Sequence, residues 1–301
     1  MSSVEFTHFM QQCRQSVDQA LNTLLPTAPK AGQTLIDAMS YSLFNGGKRV
    51  RPILAYASAL AVGESSAQAG DGLHAVASAL EAVHAYSLVH DDLPAMDDDD
   101  LRRGKATCHI AYDEATAILA GDALQTFAFD VISQAESLNA ETRLQLVSTL
   151  AKASGAEGMV LGQSIDLNAV DQTLSLPELE MMHAHKTGAL IRASVQMGAI
   201  ATEQASPEQL KALDTYASAI GLAFQVQDDI LDVVADTATL GKPQGSDQNS
   251  NKPTYVSLLG LEAAQEKADN LHQKALEALS TFDARADHLR SLSAYIVQRG
   301  H

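Results

Sequence analysis

Six stretches, Leu73 to Val89, Ala115 to Ile132, Thr142 to Leu161, Leu179 to Ile200, Pro207 to Val234 and Leu261 to Leu279, carry aliphatic residues at three- and four-residue spacing. That is the period of the α-helix, and the alternation that would mark strands is nearly absent. Alanine dominates many of these runs, and its small side chain and high helix propensity let helices approach closely. An all-α architecture is therefore expected. Punctuation agrees: Ser175-Leu176-Pro177 and Ser206-Pro207 read as N-caps followed by first-turn prolines, and Gly63, Gly155 and Gly260 fall where periodic stretches stop. A length of 301 residues leaves room for about two domains of roughly 150 residues. No boundary separates them, so residues 1–301 are expected to form a single domain.

Charge is set into this pattern in two places. The run His90-Asp91-Asp92-Leu93-Pro94-Ala95-Met96-Asp97-Asp98-Asp99-Asp100 follows directly on an apolar stretch, and Gln225-Val226-Gln227-Asp228-Asp229-Ile230-Leu231-Asp232 lies inside another. The first alone reads as a solvated helix end. The second changes the weighting, because carboxylates inside an apolar helix cost free energy unless a cation or donor meets them. Two such helices facing one cavity, with oxygen ligands and no His/Cys set, suit Mg2+ or Mn2+. Asp228 and Asp232 share a helix face, whereas Asp91 and Asp97 lie about 120° apart on an ideal helix. Pro94 is expected to kink or bulge the chain and bring Asp97 back beside Asp91. His84 lies within about 20° of the Asp91 face and, taken alone, reads best as a core histidine.

Two other readings fail on detail. A calcium loop starting at Asp97 would need glycine and glutamate where Arg102 and Cys108 stand. Gly46-Gly47-Lys48 lacks both the earlier glycine and the following Ser or Thr of a P-loop; Arg49 comes next.

Composition narrows the rest. With 20 Lys+Arg against 37 Asp+Glu the formal charge is −17, which excludes a nucleic-acid binder. Two cysteines, Cys13 and Cys108, exclude a disulfide framework and point to a reducing compartment. Met1 to His8 lacks a basic start and an apolar run, and no stretch has the roughly 18 consecutive apolar residues of a membrane span, so a cytoplasmic chain without stable membrane insertion is expected. Against the acidic total, the islands Lys48-Arg49-Val50-Arg51 and Arg102-Arg103-Gly104-Lys105 stand out. Each alone reads as a surface ion-pair patch; together with the aspartates they suit a bound polyphosphate, whose metal the carboxylates hold and whose outer oxygens the cations engage. Lys186-Thr187 and Lys242 add donors. The polar stretch Asp236 to Lys252 is long enough to be a lid or a disordered connector.

The strings Gly46-Gly47-Lys48-Arg49-Val50-Arg51-Pro52, His84 to Arg103, His185-Lys186-Thr187-Gly188, Gly221 to Asp232 and Gly241-Lys242-Pro243 resemble the trans-isoprenyl diphosphate synthases, in particular the bacterial farnesyl diphosphate synthases. The resemblance runs in the family's order from about Asn45 to Tyr255. It implies antiparallel helices packed around a deep central cavity, usually in a homodimer, with two or three Mg2+ ions per site. By position, Asp91, Asp97 and Asp228 would ligate Mg2+, with Asp232 less defined. Arg102, Lys186 and Lys242, with Thr187 and Gln225, would grip an allylic diphosphate. Gly47, Lys48, Arg51, His84 and Arg103 would hold isopentenyl diphosphate.

The activity implied is head-to-tail condensation of isopentenyl diphosphate with dimethylallyl or geranyl diphosphate. Tyr86 and Ser87 sit about one turn before Asp91, where a growing hydrocarbon would pass. In the family these positions, and the two extra residues around Leu93-Pro94, go with stopping at fifteen carbons. Farnesyl diphosphate is the expected product, with geranylgeranyl or geranyl diphosphate as the alternative. A silent regulatory subunit and a terpene cyclase are rivals; retention of both aspartate runs disfavours the first, and the Lys48/Arg51 island the second. A plain helical interaction module would leave the acidic clusters unexplained. Cys108 and Arg299 carry no assigned role.

Overall fold

A computed structural model describes residues 2–63, 70–169, 174–234 and 253–298. Fourteen α-helices are seen among them: α1 (Ser3–Leu24), α2 (Gln33–Leu43), α3 (Val50–Val62), α4 (Asp71–Asp91), α5 (Cys108–Ala111), α6 (Glu114–Ser133), α7 (Ala140–Ser154), α8 (Met159–Asn168), α9 (Leu176–His183), α10 (Ala189–Ile200), α11 (Pro207–Val234), α12 (Tyr255–Leu259), α13 (Leu261–Ala278) and α14 (Asp287–Val297). The described strands are a two-residue antiparallel pair, β1 (Leu101–Arg102) and β2 (Lys105–Ala106). The all-α expectation holds.

Helix α4 is the axis of the packing. It lies along α6 on one side and touches α1, α3 and α10 on others. Residues around most of its circumference are buried, Val76, Leu80 and Val83 completely, as a helix apolar on all faces requires. One apolar cluster runs from Phe6 to Ile296, and a smaller one, built on Leu179, Val226, Ile230 and Tyr255, lies under α9, α11 and α12. Small residues bring α3 and α10 together: a Cβ on Gly198 would collide with the backbone of Ala55, and the Ser58 hydroxyl donates to the Val195 carbonyl at 2.6 Å. Helix α1 packs its apolar stripe of Phe6, Phe9, Met10, Cys13, Val17 and Leu21 on the body.

Two runs are more divided than their periodicity. Thr142 to Leu161 splits into α7 and α8, because the chain turns through Gly155 and Gly158. Leu179 to Ile200 is interrupted at Ala184–Gly188 by a π-helical turn between α9 and α10. Ser175 closes a capping box with Glu178, and the Ser206 hydroxyl accepts from the Gln209 amide, as the N-cap reading requires. Helix α6 is long and apolar enough by length and composition to cross a membrane, yet Ala117, Leu124, Phe127 and Ile132 are buried in the core, along α4. Cys13 and Cys108 are free and buried.

Candidate active site

The first aspartate run closes α4. Asp91 is its last residue, and the chain then turns sharply: the Asp97 amide donates to the Asp91 carbonyl at 2.9 Å, and the Met96 amide to that of Leu93 at 2.8 Å. The return of Asp97 to Asp91 is thus made by a turn after the helix has ended, where the sequence suggested a kink around Pro94. The Asp91 carboxyl is pushed up from 3.8 to about 6, chiefly by burial, with Asp97 adding repulsion and Lys186 opposing it. Asp92 points elsewhere. Its carboxylate takes a forked pair from Arg102 on β1, Nε at 2.8 and 2.9 Å and Nη2 at 2.5 Å, and Asp99 lies 3.7 Å from the same guanidinium. Arg102 is therefore ion-paired beside the site and is not among the residues lining the two cavities described next.

The loop before α3 sorts the basic island. Gly46 and Gly47 have φ of 84° and 120°, and Arg103 lies across them, donating to the Gly46 carbonyl; a Cβ on Gly47 would meet that guanidinium. Arg49 turns inward at φ 52° and is 6% exposed. It donates to Asp18 at 3.0 Å, to Glu81 at 2.7 Å and to the Leu43 carbonyl at 2.8 Å, so it holds α1, α2 and α4 together. Lys48, Arg51, His84 and Arg103 line a cavity of about 660 Å3 with Gln225 and Asp228, and the paired Arg49 and Glu81 form part of the same wall. Arg51 and His84 keep partial solvent contact through it, although they sit deep in the protein. Burial, with Arg103 nearby, lowers Arg51 to about 10. Burial, then Arg51 and Arg103, holds His84 well below its usual value, hence neutral. The Arg51 Nε has no hydrogen-bond partner among the described residues. A recessed cation with an unsatisfied donor is a strong anion receptor.

A second cavity, of about 400 Å3, has Arg51, His84 and Thr187 in common with the first and so adjoins it. Asp91 and Lys186 stand on its wall; Tyr86, Ser87, Met96, Met159 and Leu167 supply much of the rest. The Tyr86 ring is buried, edge-on to His90 at 5.7 Å, and Ser87 donates back to the His84 carbonyl. Lys186 sits in the π-helical turn, a widened turn that commonly marks functional positions. It binds Asp166 of α8 at 2.5 Å. Although burial opposes its charge, Asp166, Asp91 and Asp97 outweigh that and raise its pKa. A Cβ on Gly162 would strike the Lys186 backbone, so the glycine lets α8 come this close. Asp166 and Gln163 were not singled out in the sequence; the signal was an aspartate four residues after Gly162 within an apolar helix.

On the opposite wall α11 presents Gln225 and Asp228 to the larger cavity, with Thr187 beside them. Asp229 is turned away and accepts from the Tyr255 amide at 2.7 Å, and Asp232 is buried at 2% exposure. Asp232 is not among the cavity-lining residues, despite sharing a helical face with Asp228 on an ideal helix. Lys242, Arg299 and the stretch Asp236 to Lys252 lie outside the described residues. Among the described residues no three His, Cys, Asp or Glu side chains form a preassembled cage. The donor chemistry still fits a hard divalent cation: Asp91 and Asp97 repel one another, Asp91 is raised in pKa by desolvation, and an oxygen-seeking ion relieves both.

Comparison with known proteins identifies the family. The family model described as polyprenyl synthetase matches residues 32–292. The chain is 48% identical to the farnesyl diphosphate synthase of Escherichia coli over 301 residues, covering 98% of this chain and 99% of that one. It is 46% identical to the farnesyl diphosphate synthase of Haemophilus influenzae, covering 98% of both. The crystal structure of a Helicobacter pylori geranyltransferase complexed with magnesium and isoprenyl diphosphate superposes with a TM-score of 0.86 at 33% identity, covering 98% of both chains.

Proposed function

The chain belongs to the polyprenyl synthetase family, and on that premise we propose that it condenses isopentenyl diphosphate head to tail with dimethylallyl and then geranyl diphosphate, forming (2E,6E)-farnesyl diphosphate. The observation that carries this is the adjacency of the two cavities: a recessed cationic pocket shares the wall of Arg51, His84 and Thr187 with a largely apolar one that Asp91 and Lys186 line. The isopentenyl diphosphate goes to Lys48, Arg51, Arg103 and the Gly47 backbone, with neutral His84 beside them. The allylic diphosphate goes between the two aspartate walls, gripped by Lys186 and Thr187, with Gln225 nearby. Arg102 joins it by leaving Asp92, and Lys242 completes the set. Asp91, Asp97 and Asp228 hold two or three Mg2+ ions, with Mn2+ as a substitute.

When bound, the metal neutralises charge on the diphosphate as the allylic C–O bond breaks. The chain's residues do the remainder. Lys186, kept charged by Asp166, balances the departing diphosphate. Arg51, protonated at neutral pH even when lowered to about 10, orients the second substrate so that its double bond attacks the allylic carbon. The apolar wall excludes water that would quench the cation. A C–C bond forms, a C–O bond breaks, and one proton leaves to the released diphosphate. The whole chain works as one domain. The exposed Ile118 and Leu119 on α6 support a homodimer that covers them.

Incubation with Mg2+, isopentenyl diphosphate and either allylic starter, followed by dephosphorylation and chromatography, should give farnesol from both starters and none with chelator. Absence of any elongated alcohol overturns the reading in favour of a cyclase or a silent subunit. Tyr86→Ala should shift the product beyond fifteen carbons, because the buried ring narrows the smaller cavity. An unchanged product distribution removes Tyr86 as the floor.

A further inference from the structure

His183 is the last residue of α9 and stands three positions before Lys186. It is 8% exposed, and it was not among the sequence-derived candidates. Its Nδ1 lies 3.2 Å from the Nε2 of Gln225, and its ring stacks on Tyr255 with centroids 5.5 Å apart and planes 25° from parallel. Tyr255 is completely buried, and its amide is held by Asp229, the neighbour of Asp228. Lys267 covers the Tyr255 ring at 5.9 Å and is itself held by Glu180 at 2.5 Å. The imidazole is therefore clamped between α11 and α12, and its one described polar contact is with a residue of the cavity wall. Burial lowers His183 to about 4, so the ring is neutral at working pH and offers one acceptor nitrogen and one donor.

The amide of Gln225 has two ends of opposite polarity. Lys48, Arg49, Arg51, Arg103 and Lys105 line the same cavity and outnumber the Glu81 and Asp228 carboxylates, so the field there favours the amide oxygen facing the cavity and the nitrogen facing away. We propose that His183 is the positioning residue that fixes this orientation, accepting at Nδ1 from the Gln225 amide nitrogen so that Gln225 offers the cavity its oxygen. The tautomer follows: the proton sits on Nε2, which has no hydrogen-bond partner among the described residues. Gln225 then presents its oxygen to the site as an acceptor, aimed at positive charge or at a hydrogen-bond donor, while one of its two N–H donors is committed to His183. An unpartnered buried N–H is an expensive arrangement, and the stacked Tyr255 and the fixed Gln225 are what hold it in place.

This inference rests on the proposed synthase activity, and the two fail separately: a wild-type protein that makes no prenyl product defeats the activity, whereas the following results bear on His183 alone in an active enzyme. His183→Leu should lower kcat about tenfold, the scale of one neutral hydrogen bond. The KM for isopentenyl diphosphate should stay unchanged, because Lys48, Arg51 and Arg103 are untouched. His183→Asn, whose side-chain oxygen can accept near the Nδ1 position, should recover most of the loss. In a Gln225→Leu background, His183→Leu should cost nothing more. Equal losses in both backgrounds, or wild-type kinetics in His183→Leu, overturn the proposal. If the leucine variant does not fold, nitrogen-15 NMR of the intact wild-type enzyme decides: the Nε2–H tautomer supports the assignment and the Nδ1–H tautomer overturns it.

Discussion

Asp91→Asn is expected to cut turnover by about a hundred- to a thousandfold while making the metal-free protein more stable. The first effect follows from removing one charge of the pair that would hold Mg2+. The second follows from the sign of the pKa shift. The Asp91 carboxyl is raised from 3.8 to about 6 in the folded protein, so its contribution to stability is fully present below the ordinary carboxyl value and is lost as pH rises through about 6. At pH 8, without metal, the ionised group opposes folding by on the order of 1–3 kcal/mol, discounted for the water that reaches it through the cavity. Asparagine keeps the shape and removes that opposition, so the melting temperature in chelator should rise by on the order of 5 °C. At pH 4 the gap between variant and wild type should close, because wild-type Asp91 is then protonated too. Added Mg2+ should raise the melting temperature of the wild type much more than that of the variant. A variant that melts lower than wild type at pH 8 in chelator would contradict the buried-charge account, and near-normal turnover would remove Asp91 from the metal site. Asp228→Asn, from the facing wall, should show the same loss of turnover.

Arg49→Met and Arg51→Met, two positions apart in one basic island, should fail in opposite ways. Arg49 is buried with Glu81, itself 3% exposed, and also binds Asp18 and the Leu43 carbonyl. Removing it leaves the Glu81 carboxylate buried without its cation, which costs about 3–5 kcal/mol. Urea unfolding should show this directly, and the paired change Arg49→Met with Glu81→Met should recover much of it, since no unmatched charge remains. Arg51→Met deletes a recessed cation whose Nε has no partner among the described residues, so stability should be kept while the KM for isopentenyl diphosphate rises at least tenfold. If both variants lost stability equally, or if Arg49→Met unfolded at the wild-type urea concentration, the division of the island into a structural and a binding arginine would be wrong.

That division was not legible in the chain itself. In Lys48-Arg49-Val50-Arg51 all three cations look alike, and nothing local says that Asp18 and Glu81, 31 and 32 positions away from Arg49, will converge on it. The same holds for Arg102, which the resemblance assigned to substrate and which here is held by Asp92, and for Asp166, whose partner Lys186 lies on a different helix. His183 passed unnoticed because a histidine in an apolar helix looks the same whether it supports the core or a catalytic wall. The second aspartate run was readable for the opposite reason, and it gave weight to the first: carboxylates inside an apolar helix break the local rule, and that violation asks for a cation wherever the helix ends up.

What the sequence alone determined, then, is everything set by local periodicity and by chemistry that contradicts it. The 3.6-residue repeats over Leu73 to Val89, Ala115 to Ile132 and Pro207 to Val234 specified helices that the structure has at 71–91, 114–133 and 207–234, and Ser206-Pro207 marked the start of the last. The tertiary structure decided where regular helix stops at Asp91 and at the π-helical turn of Lys186, and which polar side chains face the two adjoining cavities. Periodicity gives the face of a residue within its own helix but not the neighbour that face will meet, and a buried charge takes its role from that neighbour.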